Sequence, residues 1–426
     1  VGALAMRMIK VTLIAVLIQI FMSGASFAAG TLTLDECIKT ALDKHPDLIA
    51  AKSKIDSEKA AVSEAAADGN LQAGITSYYI RSGGSSDENA GDYSTSVTLE
   101  QSVYDWGKRD LSVTAAKINT DAVKADYLEA RDQVIADVRS AYYGLNRSLR
   151  QQKVARTRYE NYRKRLSWAK SYYDAGTKAK IEVTKAESDL ASSKLALVST
   201  QSSAEQMRAQ LASAMGEPLL KIGDIEDVLG FKDWGIKADD AVEKALVSRP
   251  ELSAQRKRVE YAKTNLSLEK KGLTPDLSAS AGYGLYGSAL FDDNEWSAKL
   301  SINIPIIDGG LTKSKVEGAQ ADLVTADAEM ESLSNSVILE VRKAWQSLNE
   351  AKETLTASME AERYAKETYD LADGRYKAGV GNSLEISDAI ESYAAAQAET
   401  VLSLYKCKEA RLDLEKAIGG LDNEDK

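Results

Sequence analysis

Gln101-Ser102-Val103-Tyr104-Asp105-Trp106-Gly107-Lys108 is answered further along the chain by Pro305-Ile306-Ile307-Asp308-Gly309-Gly310, with Asp105 and Asp308 about 203 residues apart. Before each stretch, apolar residues alternate with small polar ones; after it an unbroken helical pattern begins. Each therefore reads as a strand-to-helix joint, with its aspartate placed to accept hydrogen bonds from the first helical turn. The same offset relates Val138-Arg139-Ser140-Ala141-Tyr142 to Val341-Arg342-Lys343-Ala344-Trp345, and Tyr173-Asp174-Ala175-Gly176 to Tyr376-Lys377-Ala378-Gly379. Matches so far apart that keep one register mark a duplicated structural unit.

Outward from the joints, each copy has the same order of elements. A short helix (about 34–44 and 239–248) leads through His45-Pro46 or Arg249-Pro250 into a second helix (about 46–67 and 250–271), with proline at the first helical position. Two strands follow, within about 71–104 and 275–307, joined by the hydrophilic loops 83–92 and 287–295. Trp296, Ala298, Leu300, Ile302, Ile304 and Ile306 fall on one face against Ser297, Lys299, Ser301 and Asn303, and Leu277, Ala279, Ala281, Tyr283 and Leu285 oppose Ser278, Ser280, Gly282 and Gly284. In the first copy Val97, Leu99 and Val103 oppose Ser96, Thr98, Glu100 and Ser102, while the segment from Ile75 to Ile80 alternates poorly.

After each strand pair comes a very long helix, about 108–172 and 311–373. Val134, Val138, Ala141 and Leu145 correspond to Val337, Val341, Ala344 and Leu348, a spacing of four and three that predicts a coiled-coil-like seam. Turns at Ala175-Gly176 and Ala378-Gly379 lead to last helices at about 181–215 and 384–418. At about 1.5 Å per residue the long helix measures about 97 Å, and the two shorter ones stacked end to end about 85 Å. Near-equal lengths predict a tall helical wall, with the connector 217–237 at the level where the shorter helices meet. Strands of about 33 Å suffice to cross an outer membrane when tilted, but four of them cannot close a barrel. Three chains supplying twelve strands are the smaller solution that leaves a conduit.

Composition narrows the function. Residues 1–28 read as a signal peptide: Arg7 and Lys10 precede the apolar run Val11 to Met22, and Ser26-Phe27-Ala28 supplies small residues for cleavage. Without those two bases the 54 basic residues fall to 52 against 64 acidic, a net charge of −12 that is unsuited to nucleic acid. Beyond residue 28 no apolar run is long enough for a transmembrane helix. A single histidine, His45, stands where the second copy has Arg249, so it reads as a helix-junction residue rather than a catalyst. Cys37 and Cys407 alone make no zinc site, and their pairing stays open because sequence gives no distance. No enzyme activity, metal or cofactor is expected. A secreted or periplasmic coiled-coil structural or adhesin protein is the alternative that these patterns leave.

The duplicated halves, the two strands inserted in each helical set and the two joints together resemble the TolC-type outer membrane efflux proteins, over essentially the whole chain after the signal. The resemblance implies a mainly α fold with membrane β-strands. An internally duplicated protomer assembles as a homotrimer whose 12-stranded β-barrel continues into a long periplasmic α-helical barrel. It divides the chain into a signal peptide (1–28), first repeat (29–216), equatorial connector (217–237), second repeat (238–420) and polar tail (421–426). It implies residence in the lipid of the cell outer membrane, and partners consisting of a periplasmic adaptor (membrane fusion protein) and an inner-membrane pump or ABC exporter. The joints Asp105, Gly107, Pro305, Asp308 and Gly309 carry part of the likeness. Glu385 and Asp388, on one helical face after the second turn, match the family's periplasmic gate acids. Tyr376 and Glu182 match a tyrosine and an acid that link the closed state, whereas the family's arginine and threonine positions hold Gly381 and Ile181. Lys185 is the repeat equivalent of Asp388.

Overall fold

A computed structural model describes residues 31–82, 90–231, 235–287 and 293–421. The signal-peptide reading, most of the polar tail and the tips of both strand loops lie outside these residues. In chain order the elements are α1 (Leu34–Lys44), α2 (Pro46–Ala67), β1 (Gln72–Ser82), β2 (Ala90–Tyr104), α3 (Lys108–Asp174), α4 (Lys180–Ala214), α5 (Ala238–Ser248), α6 (Pro250–Glu269), β3 (Asp276–Gly287), β4 (Asp293–Asn303), α7 (Leu311–Lys377) and α8 (Ser383–Ile418). The two long helices, α3 and α7, have 67 residues each, so the duplication extends to equal length.

The joints work as expected, with one adjustment. The residues that flank the long helices are Gly107 (φ 82°) and Gly310 (φ 90°), which have no side chain to offer. The aspartate two positions earlier does the capping. Asp105 accepts from the amides of Gly107 (2.9 Å) and Arg109 (2.6 Å), and Asp308 from those of Gly310 (3.0 Å) and Thr312 (2.7 Å). The copies also brace each other here, with Lys108 donating to the Thr274 carbonyl at 2.9 Å and Lys271 to that of Trp106.

The strands form one antiparallel sheet in the order β1-β2-β3-β4. Cross-strand pairs sort the side chains into two faces. Ile75–Val97–Tyr283–Trp296 and Ala73–Leu99–Ala281–Ala298 are rows of the apolar face; Gly74–Thr98–Gly282–Ser297 and Gln72–Glu100–Ser280–Lys299 are rows of the polar one. This register resolves the weak alternation of β1, placing Ile75 and Tyr79 with the apolar rows and Tyr78 and Ile80 with the polar ones. Two expectations are corrected. A β-bulge between Ser102 and Tyr104 pairs Tyr104 with Leu277, so Tyr104 rather than Val103 continues the apolar face. In the last strand Ile304 and Ile306 fall beyond the end of β4 at Asn303, because Pro305 lacks an amide to donate to the ladder.

The apolar face is bare in the protomer. Ile75 and Trp296 are each 75 % exposed and Leu300 70 %, a contiguous apolar surface that water would not leave uncovered. Aromatics bracket it. The Tyr79 and Tyr93 rings meet at a tilt, 4.7 Å apart, near the loops, and Tyr104 and Trp106 meet at 4.8 Å near the helices. Between Tyr93 and Tyr104 the strand runs about 36 Å, which a tilt of about 40° reduces to about 28 Å of height, close to the apolar band of an outer-membrane barrel.

The helical seams form where the heptad spacing places them. Val138, Leu145 and Val341 are fully buried, and Val134, Val337 and Leu348 nearly so. At the level of the 217–237 segment the duplication shows in chemistry. Tyr142 donates to the carbonyls of Leu32 and Glu226 (3.0 Å each), and its repeat equivalent Trp345 donates to the Ile236 carbonyl at 3.0 Å. Both anchor irregular backbone to a long helix. His45 is a junction residue whose Nδ1 accepts from the Asp47 amide at 3.3 Å, and Arg249 at the equivalent point is ion-paired to Glu340 (2.6 Å) and Glu251 (2.8 Å).

Cys37 and Cys407 are both free and buried, in separate core clusters. Burial pushes the Cys37 thiol up to about 12 and the Cys407 thiol up to about 11, which suppresses the reactive thiolate. The folded protein is therefore expected to resist alkylation by iodoacetamide at pH 8, with both thiols reacting once it is unfolded. Rapid labelling of the folded state would contradict this placement.

Candidate functional site

The ends of the long helices farthest from the sheet carry the two helical turns. Each is closed by a glycine in the left-handed region, Gly176 (φ 73°) and Gly379 (φ 76°). In the second turn Val380 and Gly381 both donate to the Arg375 carbonyl, at 3.2 and 2.9 Å. A Cβ at Gly381 would lie 2.7 Å from the Tyr376 amide nitrogen. The position that the family resemblance assigns to an arginine thus admits no side chain in this turn. Gly381→Arg is expected to open the turn and lower the melting temperature of the tip; an unchanged melting profile would refute that packing.

Behind the turns, Tyr162, Ala372, Tyr376, Ile386, Ala389 and Ile390 make a small apolar cluster drawn from both copies. Tyr376 is only 1 % exposed, with the Tyr172 ring edge-on at 5.9 Å. The Tyr376 hydroxyl and Glu182 Oε2 are both buried without a hydrogen-bond partner among the described residues. Burial first, and the charge of Glu182 second, raise the Tyr376 phenol above its ordinary pKa. Glu385 and Asp388 are exposed on the first turns of α8. Glu385 is ion-paired to Arg375 at 3.1 Å, a partner not anticipated from the motif.

The structure adds a group that reading the sequence missed. Arg165 of α3 is fully buried, and its guanidinium donates to Asp189 on α4, to Ser387 on α8 at 3.2 Å and to Ser383 on α8 at 2.7 Å. Ser387 also donates to Asp189 at 3.0 Å. One turn away, Tyr162 donates to Glu391 at 2.5 Å, and Arg158 pairs with the same carboxylate at 2.6 Å. Burial and the hydrogen bond to Glu391 raise the Tyr162 phenol. Nearer the turns, Tyr172 donates to the carbonyls of Tyr376 (3.1 Å) and Lys377 (3.0 Å), and Lys178 to that of Gly381 at 3.4 Å. Every contact in this network joins the first copy's helical hairpin to the second's except Arg165–Asp189, which fixes the arginine inside the first.

Two sequence signals bear on the network. Ser383, Ser387 and Glu391 lie at intervals of four on α8, a polar stripe on one face. Arg158, Tyr162 and Arg165 stand where the second copy has Ala361, Ala365 and Thr368, so the equivalent positions of the second long helix carry no such network.

Comparison with known proteins agrees with this geometry. The family model described as "Outer membrane efflux protein" matches residues 37–217 and 241–420, one match per copy. The chain is 23 % identical to the outer membrane protein TolC of Escherichia coli (strain K12) over 97 % of this chain and 87 % of that one. It is 24 % identical to the pyoverdine export outer membrane protein OpmQ of Pseudomonas aeruginosa, over 92 % and 86 %. A crystal structure of CusC, studied for its transmembrane channel formation, superposes with a TM-score of 0.79 at 18 % identity, covering 91 % of this chain and 92 % of that one. Family and fold are those of channel proteins of the outer membrane, which sets aside the soluble rod. With its two matched repeats, its bare apolar sheet face and its paired helical walls, the chain belongs to the outer membrane efflux protein family.

Proposed function

We propose that three copies of this chain close a 12-stranded barrel in the outer membrane and form a passive export conduit for small molecules or polypeptide. The conduit performs no chemistry of its own. It docks with a periplasmic adaptor and receives cargo from an inner-membrane pump or ABC exporter. The observation that carries this reading is the four-stranded sheet, whose apolar face is exposed between two aromatic belts and whose outer strands each lack a partner. Lipid covers such a face, and two more copies satisfy such edges. In this reading residues 29–216 and 238–420 are the two repeats and 217–237 the equatorial connector.

Gating belongs to the helical tips. Glu385 and Asp388 of three copies would surround one axis, Glu385 partly neutralised by Arg375; Tyr376 and Glu182, the candidate link between the repeats, are coupled by charge without a hydrogen bond between them. The Arg165 network, which holds α8 against α3 and α4, supports a closed state maintained within each copy. Adaptor binding would release it, a two-state shift of one hairpin against the other.

Ala298→Arg, on the apolar face about midway between the two aromatic belts, tests the membrane assignment. A charge near the bilayer midplane of a barrel costs about 2–4 kcal/mol, so the variant is expected to leave the heat-modifiable outer-membrane fraction. Ser297→Arg, on the opposite face, should remain there. Equal behaviour of the two would defeat the barrel.

A further inference from the structure

The loop-proximal end of the sheet's polar face carries an aromatic and acidic arrangement that export as such does not require. Tyr78, Ser94, Tyr286 and Asp293 form one cross-strand row, and Thr76, Ser96, Gly284 and Glu295 the next row toward the helices. The Tyr286 ring folds back along its own strand. A Cβ on Gly284 would lie 2.3 Å from the Tyr286 hydroxyl oxygen and 2.5 Å from Cζ, so the phenol lies across the glycine. The ring thus packs against the sheet while more than a third of the residue stays exposed. Ser94, flanked in its row by Tyr78 and Tyr286, is only 4 % exposed, while the two tyrosines remain 48 % and 37 % exposed.

Charge is placed around these rings. Asp293 is opposite Tyr286, and Glu295 is opposite the glycine that the ring covers. Asp92 is on the same face, two residues beyond Ser94 along β2 and so one row nearer the loop. Among the described residues this face has one base, Lys299, which shares its row with Glu100 two rows nearer the helices than Glu295. Its charge is thus matched at its own level. Among the described residues of this face the three outer carboxylates have no such counterpart.

We infer that Tyr78 and Tyr286, with Asp293 and Glu295 beside them, form a luminal site for aromatic or alkyl organic cations near the outer mouth of the channel. An open tyrosine face attracts a poorly hydrated cation through its quadrupole, and flanking carboxylates add attraction without demanding dehydration of a small ion. Sodium or potassium would gain little, because their hydration shells keep them off the ring. An aromatic anion would be repelled. In the trimer the arrangement recurs three times around the lumen, so even weak sites raise the local concentration of cationic cargo at the exit. The inference rests on the conduit reading.

Benzyltrimethylammonium and benzenesulfonate, close in size and opposite in charge, serve as probes in planar bilayers containing the full chain, added from the loop side. The cation is expected to reduce single-channel current at concentrations about tenfold below the sulfonate. Tyr78→Leu with Tyr286→Leu should raise the half-blocking concentration of the cation about tenfold and leave conductance in potassium chloride unchanged. Should that variant fail to assemble, Asp293→Asn with Glu295→Gln reads the same site and should weaken block by a similar factor. Equal block by both probes, or cation block unaltered in assembled variants, would overturn the site. Absence of any channel in the wild-type chain would instead defeat the conduit reading itself.

Discussion

Arg165→Ala is expected to convert a closed, low-conductance channel into a leaky one. The guanidinium makes three hydrogen bonds from a fully buried position, and removing it leaves Asp189 with Ser387 as its one hydrogen-bond partner among the described residues. Breaking a buried pair costs about 3–5 kcal/mol. Asp189 is 24 % exposed, so water recovers part of this and about 2–3 kcal/mol is a better expectation. If the contact is lost on opening, the closed-to-open ratio falls about 30- to 150-fold. The measurement is single-channel conductance in planar bilayers, together with entry of a large hydrophilic antibiotic into cells carrying the variant. Ser383→Ala with Ser387→Ala keeps the Arg165–Asp189 pair and cuts only the bonds to α8, so it separates latching from local stability. It should give a smaller leak of the same kind. A variant that still forms heat-modifiable trimers and conducts like the wild type would remove Arg165 from the gate.

Asp388→Ala is expected to relieve block by divalent cations more strongly than Glu385→Ala. Both carboxylates are exposed on the first turns of α8, but Glu385 is held by Arg375 at 3.1 Å whereas Asp388 has no ion pair among the described residues. Three unpaired carboxylates around an axis attract a divalent ion together. Losing them should raise the half-blocking concentration about tenfold or more, while loss of Glu385 should raise it only a few-fold. Arg375→Ala supplies the opposite sign: freeing Glu385 should tighten the block. If all three variants match the wild type, these acids do not line the aperture. This ranking follows from a pair that the motif alone does not reveal, since Arg375 belongs to α7 and Glu385 to α8.

The joints show how far local chemistry reaches. Asp105 and Asp308 had only to find amides within four residues, so the sequence pattern identified their role even though glycine occupies the cap position itself. Heptad spacing located the seam through Val138 and Val341 for a similar reason, because helix geometry fixes which side chains share a face. The bulge at Val103 was not legible, since an extra residue in one strand is defined by what lies across from it. Arg165 is the larger omission. In the sequence it is one more base on a charged helix, and its importance comes from Asp189, Ser383 and Ser387, up to 222 residues away.

Periodicity, duplication and turn chemistry are short-range or repeated, so they specified the helices, the strands, the tall wall and the shortage of strands that calls for further copies. Partner choice at the tip is long-range. Which carboxylate faces Arg165, why Gly381 admits no side chain and why Glu385 is paired while Asp388 is not depend on how two helical hairpins approach, and burial there turns ordinary polar residues into a network whose loss is costly. The Tyr286 ring lying over Gly284 belongs with these, because only the folded strand determines which way a side chain leans.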